Sequence, residues 1–154
     1  MFTITHYLSR GQDFIDSIGG WIGMMALRLL LAYEFWESGL EKFHGSNWFS
    51  DIQGQFPFPF SIVPVDISWF LSTWIELIGA VMLVIGLGTR FWAFSLLILD
   101  VVAWYAVHAD NGFNVCDNGY KLPLMYLVML IPLVLKGPGK LSIDYWIRAT
   151  FCKN

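Results

Sequence analysis

Apolar residues run along this chain in four long stretches separated by polar or turn-rich segments, and the stretch lengths predict membrane-spanning helices. The first covers residues 18–40, and about 20 apolar residues suffice for a hydrocarbon core of about 30 Å. Inside and just beyond it, the 24–43 stretch MMALRLLLAYEFWESGLEKF carries Arg28, Glu34, Glu37, Glu41 and Lys42. At helical spacing Glu34, Glu37 and Glu41 fall within about 60° of one another, whereas Arg28 lies on a different face. An ionisable side chain near a bilayer centre costs at least about 2.5–3.5 kcal/mol, so these charges need partners and the rest of the chain is expected to shelter the acidic stripe.

Residues 1–17, with Phe2, Ile4, Tyr7, Phe14 and Ile15 among Arg10, Asp13 and Asp16, predict an interfacial N-terminus that skims the membrane. Residues 44–65 hold Pro57, Pro59 and Pro64 among aromatics, which predicts a long irregular outer loop at headgroup level, with the length to act as a lid. Asp66 or Ser68 is the expected cap of a second span, 67–87, whose single ionisable residue is Glu76. After a tight turn at residues 88–90, a third span, 91–108, places Asp100, Trp104 and His108 at i, i+4 and i+8 on one face. A fourth span, 122–136, has Pro123 in its first turn, where a missing N–H does least harm, and Pro132 near its far end. Residues 137–154 read as an amphipathic cytoplasmic tail. The predicted fold is a single all-α integral membrane domain over residues 1–154, a four-transmembrane-helix bundle with a long outer loop between its first two helices.

Composition agrees with a bilayer environment. Of 154 residues, 56% are hydrophobic and only 14% charged, and the mean hydropathy is +0.58. A net charge of −3 supplies no basic footprint for nucleic acid. Four spans put both termini on one side, where Arg10, Arg90, Lys136, Lys140, Arg148 and Lys153 outnumber Lys42 and Lys121 on the other. The bias predicts cytoplasmic termini. Cys116 then meets the oxidising side and Cys152 the cytoplasm, so the two cannot pair within one chain.

Counted inward at 1.5 Å per residue, Arg28, Glu76 and Asp100 all reach the midplane. An Arg28 fork joined to Glu76 and to Asp100 is the expected arrangement. Such a cluster either locks the helices together or leaves one carboxylate protonatable, for proton transfer or ligand binding. Glu34, Glu37 and Glu41 rise outward from it toward His108, which predicts an outward-facing acidic pocket. Glu34, Glu37 and His108 are the candidate metal ligands, although neither a Glu-x-x-His nor an HExxH spacing is present. Trp104, on the face of Asp100 and His108, is placed to line a flat-ring site such as a quinone's. Small residues at Gly19, Gly20, Gly23 and Ala26, and at Gly79, Ala80 and Gly86, predict close helix packing.

Three segments, SGLEKF at the end of the first span, ELIGAVMLVIGLGTR in the second and VVAWYAVHADNGF in the third, occur in an order and spacing that resembles the DoxX family over residues 27–140. The resemblance implies a bacterial inner-membrane four-helix protein linked with redox or thiol stress and related to membrane subunits of a thiosulfate:quinone oxidoreductase. The outer loop and the tail GPGKLSIDYWIR look similar to members encoded beside biosynthetic enzymes for small copper-binding peptides, which implies copper or redox homeostasis. By position, Gly39 and Lys42 match the pattern closing the first helix, Glu76 the second-helix acid and His108 the end of the third; no residue matches a defined catalytic motif.

Three functional readings follow, beside a purely structural scaffold. The first is an accessory membrane protein of a redox or copper-stress pathway, binding a small ligand or a membrane or periplasmic protein partner. The second is a quinone-coupled oxidoreductase subunit in which Glu76, Asp100 or His108 moves protons. The third is a proton or cation relay, which with four short spans and no inverted repeat requires a homo-oligomer.

Overall fold

The computed structural model describes residues 2–151, with side chains from residue 19 onward. Cys152 lies outside the described residues, and so does its predicted separation from Cys116. Six helices follow one another: α1 (Phe2–His44), α2 (Phe49–Ile52), α3 (Val65–Ile85), α4 (Thr89–Ala103), α5 (Lys121–Lys136) and α6 (Ile143–Phe151). Among the described residues there is no strand.

Four of these form the bundle, with α1 against α3 and α5, and α4 against α3 and α5. The buried face of α1 repeats at helical spacing through Met24, Arg28, Leu31, Ala32, Phe35 and Gly39. Leu83 of α3, Leu96 of α4, and Leu130 and Leu133 of α5 meet it in one core. A Cβ at Gly39 would sit 2.9 Å from the Leu77 side chain, so the missing side chain lets α1 and α3 approach closely. The outer surface is apolar instead of polar: α3 alone exposes Phe70, Leu71, Trp74, Ile78, Val81 and Val84. Two segments, Val65–Ile85 and Thr89–Asn111, are long and apolar enough to cross a membrane. The 16-residue α5 is shorter, roughly 24 Å, and the 43-residue α1 runs about 64 Å, twice a hydrocarbon thickness.

The structure differs from expectation in several places. The N-terminal segment and the first span are one continuous helix, because two adjacent glycines cost a helix only about 1 kcal/mol each and no proline intervenes. Neither Asp66 nor Ser68 caps the second span. The helix begins at Val65, the Ser68 N–H donates to the Pro64 carbonyl, and Asp66 accepts from the Asn47 side chain at 3.0 Å. The loop over residues 44–65 is folded, with the short α2 and two 3-10 turns, and Trp48, Phe49, Phe56 and Trp69 packed edge to face. It rests on α3 and touches the turn after α4. That turn, Trp104–His108, is π-helical, so the third long helix widens where an unbroken α-helix was expected. Gly19, Gly20 and Gly23 pack against no helix: a Cβ at any of them would meet nothing within 4 Å.

Candidate functional site

Two polar assemblies lie inside the bundle, at different depths. The one at the end that carries the α3–α4 turn is built on Arg28, which is 2% exposed. The last carbonyls of a helix have no partner within it. Arg28 supplies one for α3: Nε donates to the Leu83 carbonyl at 2.7 Å and a terminal nitrogen to Val84 at 2.7 Å. Its other terminal nitrogen donates to Pro138 at 3.1 Å and Leu141 at 2.7 Å, which ties in the segment after α5. The guanidinium therefore does not pair with Glu76 or Asp100, as the depth count led one to expect. A planar fork with five donors suits four converging carbonyls, and their partial charges take the place of a carboxylate.

The same end holds two more caps. Asp144 accepts from the Gly88 N–H at 2.8 Å and the Thr89 N–H at 2.9 Å, closing the start of α4 where the helix dipole favours a carboxylate. Arg90 donates to the Leu135 carbonyl at 3.2 Å, at the end of α5. Gly86, with φ +71°, makes the turn possible, and a Cβ there would lie 2.6 Å from both the Arg28 guanidinium and Ser142. Gly86→Ala is expected to destabilise the protein by at least about 2 kcal/mol, from left-handed strain and from displacement of Arg28, read as a lowered unfolding temperature in detergent.

The second assembly lies between the helices, farther toward the loop over residues 44–65. The Lys42 ammonium donates to both Glu76 oxygens, at 3.0 and 2.8 Å, and to the Ser38 hydroxyl at 2.8 Å. Both charged side chains are largely buried, 14% and 9% exposed. Helical side chains lean toward the N-terminus, so the long Lys42 stem carries its charge back one turn to the level of Ser38. Across the core, the Tyr126 hydroxyl of α5 donates to Glu34 at 2.6 Å. Asp100 belongs to α4, the remaining helix of the bundle. It is 6% exposed, and its Oδ2 has no hydrogen-bond partner among the described residues. Lys42 thus pairs with Glu76 of α3, Tyr126 of α5 with Glu34 of α1, and Asp100 of α4 is buried with one oxygen unmatched.

The other predicted site residues are placed apart from this network. Glu37 and Glu41 are exposed, so the bundle does not shelter the whole acidic stripe. The Nδ1 of His108 lies 2.7 Å from the Asn118 carbonyl, which requires a proton on that nitrogen. Among the described residues no three His, Cys, Asp or Glu side chains gather as metal ligands, so Glu34, Glu37 and His108 do not form the metal site considered above. Trp104 stacks on Tyr120, centroids 5.5 Å apart and 18° between planes, which covers one face of the indole. Cys116 is an exposed free thiol. Sequence reasoning missed the Lys42–Glu76 pair and Tyr126; the only trace of the latter was a hydroxyl in the middle of an otherwise apolar fourth helix.

The DoxX family profile matches residues 23–109, more than half of the chain and the part that carries every charged member of the network. A protein of Haemophilus influenzae described as uncharacterised is 53% identical over 137 residues, 89% of this chain and 91% of the relative. A second uncharacterised protein of that organism is 29% identical over 126 residues, 77% of this chain and 85% of the relative. No solved structure matches the chain. The chain belongs to the DoxX family and is a membrane protein.

Proposed function

We propose that this protein is a four-span protein of the bacterial inner membrane, with both termini cytoplasmic, that serves a redox or copper-stress pathway as an accessory component. The bundle helices α1, α3, α4 and α5 are its spans. Support for the orientation comes from the basic residues concentrated at the end that Arg28, Arg90 and Asp144 close. The pathway rests on the family resemblance.

The working part is the network of Lys42, Glu76, Asp100, Glu34 and Tyr126, which takes up a proton or a small polar ligand from the outer side. One observation carries this reading: a buried Asp100 oxygen with no partner, beside a paired lysine and carboxylate. A buried unmatched polar group costs about 1–3 kcal/mol, and of the two found among the described residues, Thr89 Oγ1 and Asp100 Oδ2, only the second belongs to an ionisable side chain. Within a bilayer an ionisable residue facing the bundle interior marks a proton or substrate path more often than a packing role.

Asp100→Asn tests the reading. The variant keeps the volume and loses the titratable proton, so it is expected to reach the membrane at the wild-type level with unfolding temperature unchanged or higher. Growth of the host under copper or thiol-oxidant challenge is expected to fall to that of cells lacking the protein. Wild-type growth at equal protein level would sink the proposal.

A further inference from the structure

We infer that the protein binds one anionic phospholipid at its cytoplasmic end, the phosphate headgroup in a cationic cavity and an acyl chain in an adjoining apolar groove. The inference concerns a site separate from the network and rests on the membrane placement proposed above.

The cavity, about 340 Å³, opens between α1 and the segment after α5, and Lys136, Lys140 and Arg148 line it with Trp21. Lys140 stands over the Trp21 ring, its Nζ 4.5 Å from the centroid, so a cation and an interfacial aromatic are fixed together. Asp144, the acid on the wall, already accepts from the Gly88 and Thr89 N–H groups, so its charge is engaged at the start of α4. Lys136, Lys140 and Arg148 against Asp144 leave a net charge of +2 toward an anion.

A second cavity of about 440 Å³ adjoins the first, sharing Gly20 and Lys136. Its wall is one face of α1, where Gly19, Gly23, Ala26, Leu27 and Leu30 recur at helical spacing. The absence of side chains at Gly19, Gly20 and Gly23 is what leaves the groove. Gly20 is eight residues from Arg28, roughly 12 Å along the helix, so the cationic end is peripheral and the groove runs inward toward the core helices. A headgroup outside and a chain inside is the polarity of a lipid in the cytoplasmic leaflet, and a soluble phosphate would use the first cavity alone. Basic pockets beside membrane helices on this side take anionic headgroups by charge.

The test is native mass spectrometry of the full chain in neutral detergent. Phosphatidylglycerol or phosphatidylethanolamine is added, and the phosphatidylglycerol titration is repeated with excess inorganic phosphate. One phosphatidylglycerol is expected to bind, at least about tenfold more tightly than phosphatidylethanolamine, and phosphate should not displace it. Lys136→Gln/Lys140→Gln/Arg148→Gln should weaken binding roughly 100-fold, three times the increment expected per cation at an anionic surface. A Cβ at Gly20 would meet nothing within 4 Å, so Gly20→Leu extends into the junction of the two cavities and should also weaken phosphatidylglycerol binding while leaving the fold intact. Equal binding of the two lipids, displacement by phosphate, or unchanged binding in Gly20→Leu overturns the site. A protein extracted from membranes without detergent would instead overturn the membrane placement, so the two failures are distinguishable.

Discussion

Replacing Arg28 by alanine is expected to remove at least about 3 kcal/mol of stability and most of the folded protein from the membrane. The substitution strands the Leu83 and Val84 carbonyls at the end of α3 and releases those of Pro138 and Leu141. Each buried polar group left unmatched costs about 1–3 kcal/mol, and solvent reaches this side chain hardly at all. Arg28→Lys should recover only part of the loss, since an ammonium offers three donors from one point and cannot span two segments as the fork does. Thermal unfolding in detergent, with the amount of protein recovered from membranes, measures both variants. An Arg28→Ala protein with wild-type unfolding temperature would contradict the capping role.

The second large effect concerns Lys42 and Glu76. Lys42→Met leaves the Glu76 carboxylate buried without its cation, which typically costs about 3–5 kcal/mol. Lys42→Met/Glu76→Leu removes both charges, and buried ion pairs replaced by apolar residues of similar size are often neutral or even stabilising. The double variant is therefore expected to unfold near the wild-type temperature although the single variant does not. This non-additivity is the measurable mark of direct coupling between the two side chains.

Hydropathy and helical period made the four bundle helices legible, with ends misplaced by a few residues except at the start of α1. The fourth bundle helix, for instance, begins at Lys121 where residue 122 was expected. Local chemistry was harder to read. Arg28 was assigned carboxylate partners because only side chains were considered, whereas the unpaired carbonyls at the end of α3 outcompeted them. The Lys42–Glu76 pair escaped because position along the sequence was equated with depth; a lysine stem covers about a full turn backward. The π turn at Trp104–His108 has no counterpart in hydrophobic period, and it turns His108 toward the Asn118 carbonyl. Glu76 and Asp100 each lie about ten residues from the α3–α4 turn and both are buried, which is as far as counting along the two helices reaches.

The folded double variant also separates a working network from a structural one. Cells that carry Lys42→Met/Glu76→Leu at the wild-type membrane level should be grown under copper or thiol-oxidant challenge beside wild-type cells and cells lacking the protein. A stable protein is expected, with growth no better than without it. Wild-type growth from that stable protein would show that the buried charges serve the fold alone.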